Sequence, residues 1–185
     1  IFFSTNRRVG SVTRRENQNL IFYKNQMKSK PDGDTIENIL SVWKGNYRLL
    51  EKNHNYIQWL FPNRRPGINP HAATLTDKEA QIIRETPELR NRVKRAFEMM
   101  LDFYGMELDG TNFKLTWNCK ERLQELNKWG NHNFLRISRI LLALKELGSF
   151  HFPLLSFLSS NFYSLHFLSV AFSQYSLSCG NKKSS

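Results

Sequence analysis

Apolar residues recur every three or four positions through the middle of the chain, the spacing of helices that bury one face. Ile36, Ile39, Leu40 and Trp43 form one such stripe, and Tyr47 and Leu50 extend it past Gly45, where a bend is expected. Just before it, Asp34 followed by Glu37 predicts a capping box. Thr76 and Glu79 predict a second, opening a short helix through Ile82 and Ile83. Thr86-Pro87-Glu88 is the clearest helix start. It has a capping residue, a proline where its missing N–H costs nothing, and an acid beside the helix dipole. Leu89, Val93, Phe97, Met100 and Tyr104 then repeat along one face until Gly105. Asn118 with Glu121 opens a further helix carrying Leu123, Leu126 and Trp129. The last begins at 131–133, buries Phe134, Ile137, Ile140, Leu141 and Leu144, and stops at Gly148. Between the helix that ends at Gly105 and the one that opens at Asn118 lies MELDGTNFKLTW, where an Asp109-Gly110 turn flanked by alternating Phe113, Leu115 and Trp117 fits a small hairpin or a packed loop equally. The expected fold is all-α, an irregular bundle of about five helices over residues 19–148.

Both ends break the pattern. Residues 1–18 are polar and basic with no helical or strand period, and read as a disordered basic arm. Residues 149–185 form a Ser/Phe/Leu-rich apolar tail, and its first 32 positions, 149–180, hold no Asp, Glu, Lys or Arg. Its length is that of a membrane anchor flanked by Lys182 and Lys183, but Pro153, Asn161 and nine serines interrupt it. Phe, Ser and Leu codons are pyrimidine-rich, so translated read-through of a polypyrimidine tract is the leading expectation. A membrane anchor is the second, and a buried core segment the third. Because the chain opens on Ile1 rather than Met, it is expected to be a fragment.

Charge changes this picture only at the edges. The formal net charge is +11, of which residues 1–30 supply +6, from seven Lys/Arg against Glu16. Residues 31–148 are nearly balanced, with 18 bases and 15 acids. A basic nuclear factor touching nucleic acid through residues 7–30 is therefore a lesser alternative. The two cysteines, Cys119 and Cys179, lie in unlike surroundings and suggest no disulfide framework, which leans toward a reducing, intracellular compartment.

Catalytic signatures are missing. The sequence has no Gly-rich phosphate loop, His-Glu-x-x-His, Cys-x-x-Cys or Gly-x-Ser-x-Gly. Its five histidines show no metal-ligand spacing, and a Cys119–His132 nucleophilic pair is a remote reading. No enzyme, metal or cofactor is expected. The densest polar-aromatic segment is Asn53 to Pro62. There Tyr56 and Trp59 can offer flat surface to a peptide while His54 and Gln58 direct hydrogen bonds. Against this, aromatic clusters before a proline stop usually pack, so Ile57, Trp59, Leu60 and Phe61 are expected in the core. Arg64 and Arg65 follow and can pair a ligand carboxylate, or else solvate a loop. Arg136 and Arg139, at i and i+3 opposite the last helix's apolar stripe, can form an anion contact or a plain polar face.

The strings NLIFYKNQMKSKPDGDTIENIL, NYIQWLFP, Arg64-Arg65-Pro66-Gly67-Ile68-Asn69, AFEMMLDFYGMEL and HNFLRISRILLALKELG resemble the opioid growth factor receptor family in order and spacing. The resemblance covers residues 19–148 and departs from the family at Ser149. It implies a helical, non-enzymatic module that binds the opioid pentapeptide Met-enkephalin, restrains proliferation, and sits in or around the nucleus, with membrane association if the tail is an anchor. It carries no residue-level binding map. A helical scaffold that docks a protein partner without the peptide is the alternative.

Overall fold

The computed structural model describes residues 17–110, 112–126 and 133–147. Most of the basic arm, the whole of the 149–185 tail, Trp129 and His132 lie outside the described residues. Helix α1 (Gln18–Tyr23) opens the fold from Asn17, whose positive φ of 67° turns the chain into it. It starts one residue inside the expected arm, because Leu20, Phe22 and Tyr23 have a core to enter. A loop follows, with a cis Lys30–Pro31 bond, and leads to α2 (Ile36–Asn38). That helix widens directly into a π-helical turn (Ile39–Trp43). Gly45, at φ +79°, ends the run, so the single long stripe becomes two helices. Asn46 restarts the chain by accepting a hydrogen bond from the Leu49 N–H at 3.1 Å, and α3 (Tyr47–Lys52) follows. Next come α4 (Tyr56–Leu60), α5 (Asp77–Glu85) and α6 (Pro87–Phe103), then α7 (Cys119–Leu126) and α8 (Asn133–Leu147).

The fold is thus mostly helical. Of the two readings for residues 106–117, the hairpin is the one formed. Strands β1 (Met106–Asp109) and β2 (Asn112–Leu115) pair antiparallel in the register Met106–Leu115 to Asp109–Asn112, around Gly110 at positive φ. The central element is α6, which packs against α5, α8, the π turn and β1. Its predicted stripe, Leu89, Val93, Phe97, Met100 and Tyr104, is buried throughout.

One of the two early capping boxes is present. Thr76 Oγ1 accepts from the Glu79 N–H, and the Glu79 carboxylate accepts from the Thr76 N–H at 2.9 Å. Glu79 is itself buried and also accepts from the Asn19 N–H (3.0 Å) and Nδ2 (3.1 Å), joining α1 to the start of α5. The Asp34–Glu37 box does not form. Glu37 instead reaches Arg92 Nε at 2.7 Å and Arg95 Nη1 at 2.8 Å on α6. Two guanidinium groups are stronger partners for a carboxylate than one backbone N–H, which accounts for the difference.

Cys119 is buried and disulfide-bonded, against the expectation from cysteine placement. Unlike surroundings in sequence do not determine which segments meet in space. The remaining cysteine of the chain lies outside the described residues. Cys119 is therefore no thiol nucleophile in this structure.

Candidate functional site

Between α4 and α5 the chain leaves the helical body as a loop, and buried amides fix both its ends. At one end Gln58, buried on α4, pairs twice with the Asn69 backbone. Its Oε1 accepts from the Asn69 N–H at 2.6 Å, and its Nε2 donates to the Asn69 carbonyl at 3.1 Å. The Asn69 side chain reaches onward. Its Nδ2 donates to the Lys30 carbonyl at 2.6 Å and the Asn55 carbonyl at 3.4 Å, while its Oδ1 accepts from the His71 N–H at 3.0 Å. The Trp59 indole donates to the same Lys30 carbonyl at 3.1 Å. Three irregular segments, around Lys30, Asn55 and Asn69, are thereby tied together with their buried polar atoms paired.

At the other end Asn63 is buried, and its Oδ1 accepts from the Arg65 N–H at 2.9 Å. Its carbonyl accepts from the Leu75 N–H, also at 2.9 Å. Between the anchors Gly67 lies so close to Gln58 that an added Cβ would stand 2.3 Å from the amide carbon. Only glycine permits that approach.

What this frame carries into solvent is Arg64, Arg65 and Ile68. Arg64 is neutralised, pairing with Asp77 in the first turn of α5 and placing Nε 2.8 Å from Glu146 of α8. The hydrogen bond from Arg64 holds the Asp77 carboxyl below the usual carboxylate range. Arg65 is exposed, and its guanidinium has no ion-pair or hydrogen-bond partner among the described residues. Ile68 is 91 % exposed.

The other residues singled out by sequence have different fates. Tyr56 and Trp59 are wholly buried, and Gln58 nearly so. Tyr56 donates to the Leu50 carbonyl at 3.2 Å, and burial pushes its hydroxyl far above the ordinary tyrosine range. The aromatic block is therefore scaffold, as the packing reading expected, and does not present a face. His54 is exposed just ahead of α4. Arg136 lies neither on a polar face nor in an anion site. It is buried, and it donates to the carbonyls of Leu50 (2.9 Å), Glu51 (3.0 Å) and Asn53 (3.1 Å) at the end of α3. Its charge thus serves the negative end of that helix. Arg139 is half-buried and donates to the Phe61 carbonyl at 3.1 Å, and burial lowers its guanidinium to about 10. Sequence reasoning missed Asn63, Asn69 and Ile68. The available signal was two asparagines bracketing Arg-Arg-Pro-Gly-Ile, since asparagine side chains bond locally to backbone in turns. Among the described residues no cluster of three His, Cys, Asp or Glu could hold a metal, and no helix is long and apolar enough to cross a membrane.

A mostly helical domain with one short hairpin and a clamped, solvent-facing Arg-Arg-Pro-Gly-Ile loop is what the fold and site define. Residues 12–170 match the family model described as the opioid growth factor receptor conserved region. The chain belongs to the opioid growth factor receptor family. It is 49 % identical over 144 residues to the opioid growth factor receptor of Homo sapiens, covering 75 % of this chain and 21 % of that protein. With opioid growth factor receptor-like protein 1 of Xenopus tropicalis it shares 51 % over 132 residues, covering 70 % of this chain and 26 % of the other. The like-named Mus musculus protein is 49 % identical over 144 residues, with 76 % and 31 % covered. The chain thus spans about a fifth to a third of the length of these relatives. The family match runs past Ser149, into the segment that composition had set apart. No solved structure matches.

Proposed function

We propose that the chain is a non-enzymatic peptide-binding module that engages the opioid growth factor Met-enkephalin in growth regulation, inside the cell at or around the nucleus. The observation that carries this reading is identity of about one half, over three quarters of the chain, with a protein named opioid growth factor receptor. The absence of catalysis is read from how the buried ionisable groups are used. Glu79, Arg92, Arg122 and Arg136 hold helix ends, loops and backbone carbonyls. A scaffold that docks a protein partner is the second reading, favoured by Trp117, which stands 94 % exposed beside the hairpin. Calorimetric titration of the full chain with Met-enkephalin, beside a scrambled pentapeptide, tests the first reading. Saturable heat from the authentic peptide alone is expected. Equal or absent heat from both, with the chain folded by circular dichroism, transfers the reading to the scaffold.

A further inference from the structure

We infer that the Arg65–Ile68 turn receives the C-terminal end of the peptide, Arg65 taking the carboxylate and Ile68 the last apolar side chain. This rests on the peptide-binding reading above and assigns its site. Of two adjacent guanidinium groups, Arg64 is matched by Asp77 and Glu146, whereas Arg65 has no partner among the described residues. One positive charge on this loop is therefore left for an incoming anion. Ile68 adds a fully solvated aliphatic side chain three residues on. Single exposed apolar residues are ordinary on protein surfaces; what sets this one apart is that its loop is pinned. Gln58 and Asn69 hold one end and Asn63 the other, and Gly67 is pressed against Gln58. A surface ordered in advance spends little of its binding energy on becoming ordered.

The geometry also fits a terminal residue. Three residues of chain span at most about 11 Å, and the long arginine stem shortens that reach, so one residue can meet both groups with its carboxylate and its side chain. A guanidinium receives a carboxylate through two parallel hydrogen bonds, which a neutral amide cannot reproduce. The nearby Asp77 and Glu146 carboxylates are already paired with Arg64, so neither is left for the peptide's ammonium. Recognition is thus of a free carboxyl terminus next to an apolar side chain.

The test is titration of the full chain with Met-enkephalin and with its C-terminal amide, repeated on Arg65→Ala and Ile68→Asp. Both positions are exposed, and matched urea denaturation curves confirm that the variants fold. The free acid is expected to bind the parent chain about five- to tenfold more tightly than the amide. In Arg65→Ala that preference disappears, and Ile68→Asp, whose new carboxylate also competes for Arg65, weakens both ligands and the acid more than the amide. Equal binding of acid and amide to the parent, or an acid preference that survives in Arg65→Ala, overturns this site while leaving the peptide reading standing. No binding of either ligand to a folded parent removes both.

Discussion

Alkaline pH should unfold this domain abruptly, because three tyrosines are locked in its interior. Tyr23 and Tyr56 are wholly buried and Tyr104 is 3 % exposed, and burial raises all three hydroxyls well above the ordinary value. Tyr23 donates to the Leu60 carbonyl at 2.5 Å, while the Tyr104 hydroxyl has no partner among the described residues. In the unfolded chain these groups ionise near the usual tyrosine value, whereas in the folded chain they stay protonated. A group with its folded pKa raised supports stability below the unfolded pKa and loses that support as pH rises beyond it. Each tyrosine then withdraws ~1.4 kcal/mol per pH unit above about 10. Three together withdraw ~4 kcal/mol per unit, so a domain of about 5–10 kcal/mol opens within roughly two units. The assay follows tyrosinate absorbance and far-ultraviolet circular dichroism over one titration. The expected record is a cooperative late rise in tyrosinate coinciding with loss of helix. A smooth titration of every tyrosine near its ordinary value, with helical signal intact, would refute this burial.

Further expectations follow from the buried polar contacts. Replacing Arg136 by Met strands three carbonyls at the end of α3 and leaves Glu51 without its guanidinium, and should cost ~3–5 kcal/mol in urea denaturation. Glu79→Gln places amide hydrogens against donors from Asn19 and Thr76, and should cost about 1–3 kcal/mol by the same measurement. Burial raises the Glu37 carboxyl, but Arg92 and Arg95 outweigh this and hold it below its ordinary value. Its support is therefore present above the unfolded carboxylate range and lost as pH falls through the folded value. Glu37→Gln should flatten that part of the acid limb of stability against pH. Gly67→Ala drives a methyl group into Gln58 and should cost ~1–3 kcal/mol while weakening peptide affinity, read by denaturation and calorimetry together.

How much of this was legible in sequence depends on how far each partner lay along the chain. The α6 stripe, the Thr76–Glu79 box and the helix start at Pro87 are set by neighbours within one or two turns and appear as read, except that the Thr86 side chain makes no capping hydrogen bond. Glu37 was misread because its partners, Arg92 and Arg95, stand 55 and 58 residues away. Arg136 was placed on a polar face because helical periodicity counts charges as solvated. Its stabilising contacts are carbonyls more than 80 residues earlier, together with the Tyr56 and Phe103 rings. Short helices such as α1 and α4 lacked a legible period and exist through burial of Phe22, Tyr23, Tyr56 and Trp59. For the site, Arg64 and Arg65 were marked in sequence, but their division into a neutralised and an unpartnered group needs Asp77 and Glu146 in space. The aromatic block could serve ligand or core by composition, with packing the expected role, and its burial agrees with that expectation.

The central claim is that the clamped loop meets the ligand and the aromatic block beneath it serves as support. Amide chemical-shift mapping on the full labelled chain during titration with Met-enkephalin tests it most directly. The account predicts the largest shifts at the backbone amides of Arg65, Gly67 and Ile68, with the Trp59 indole nearly unmoved. Largest shifts at the Trp59 indole and Gln58 amide, with the loop unchanged, would contradict it.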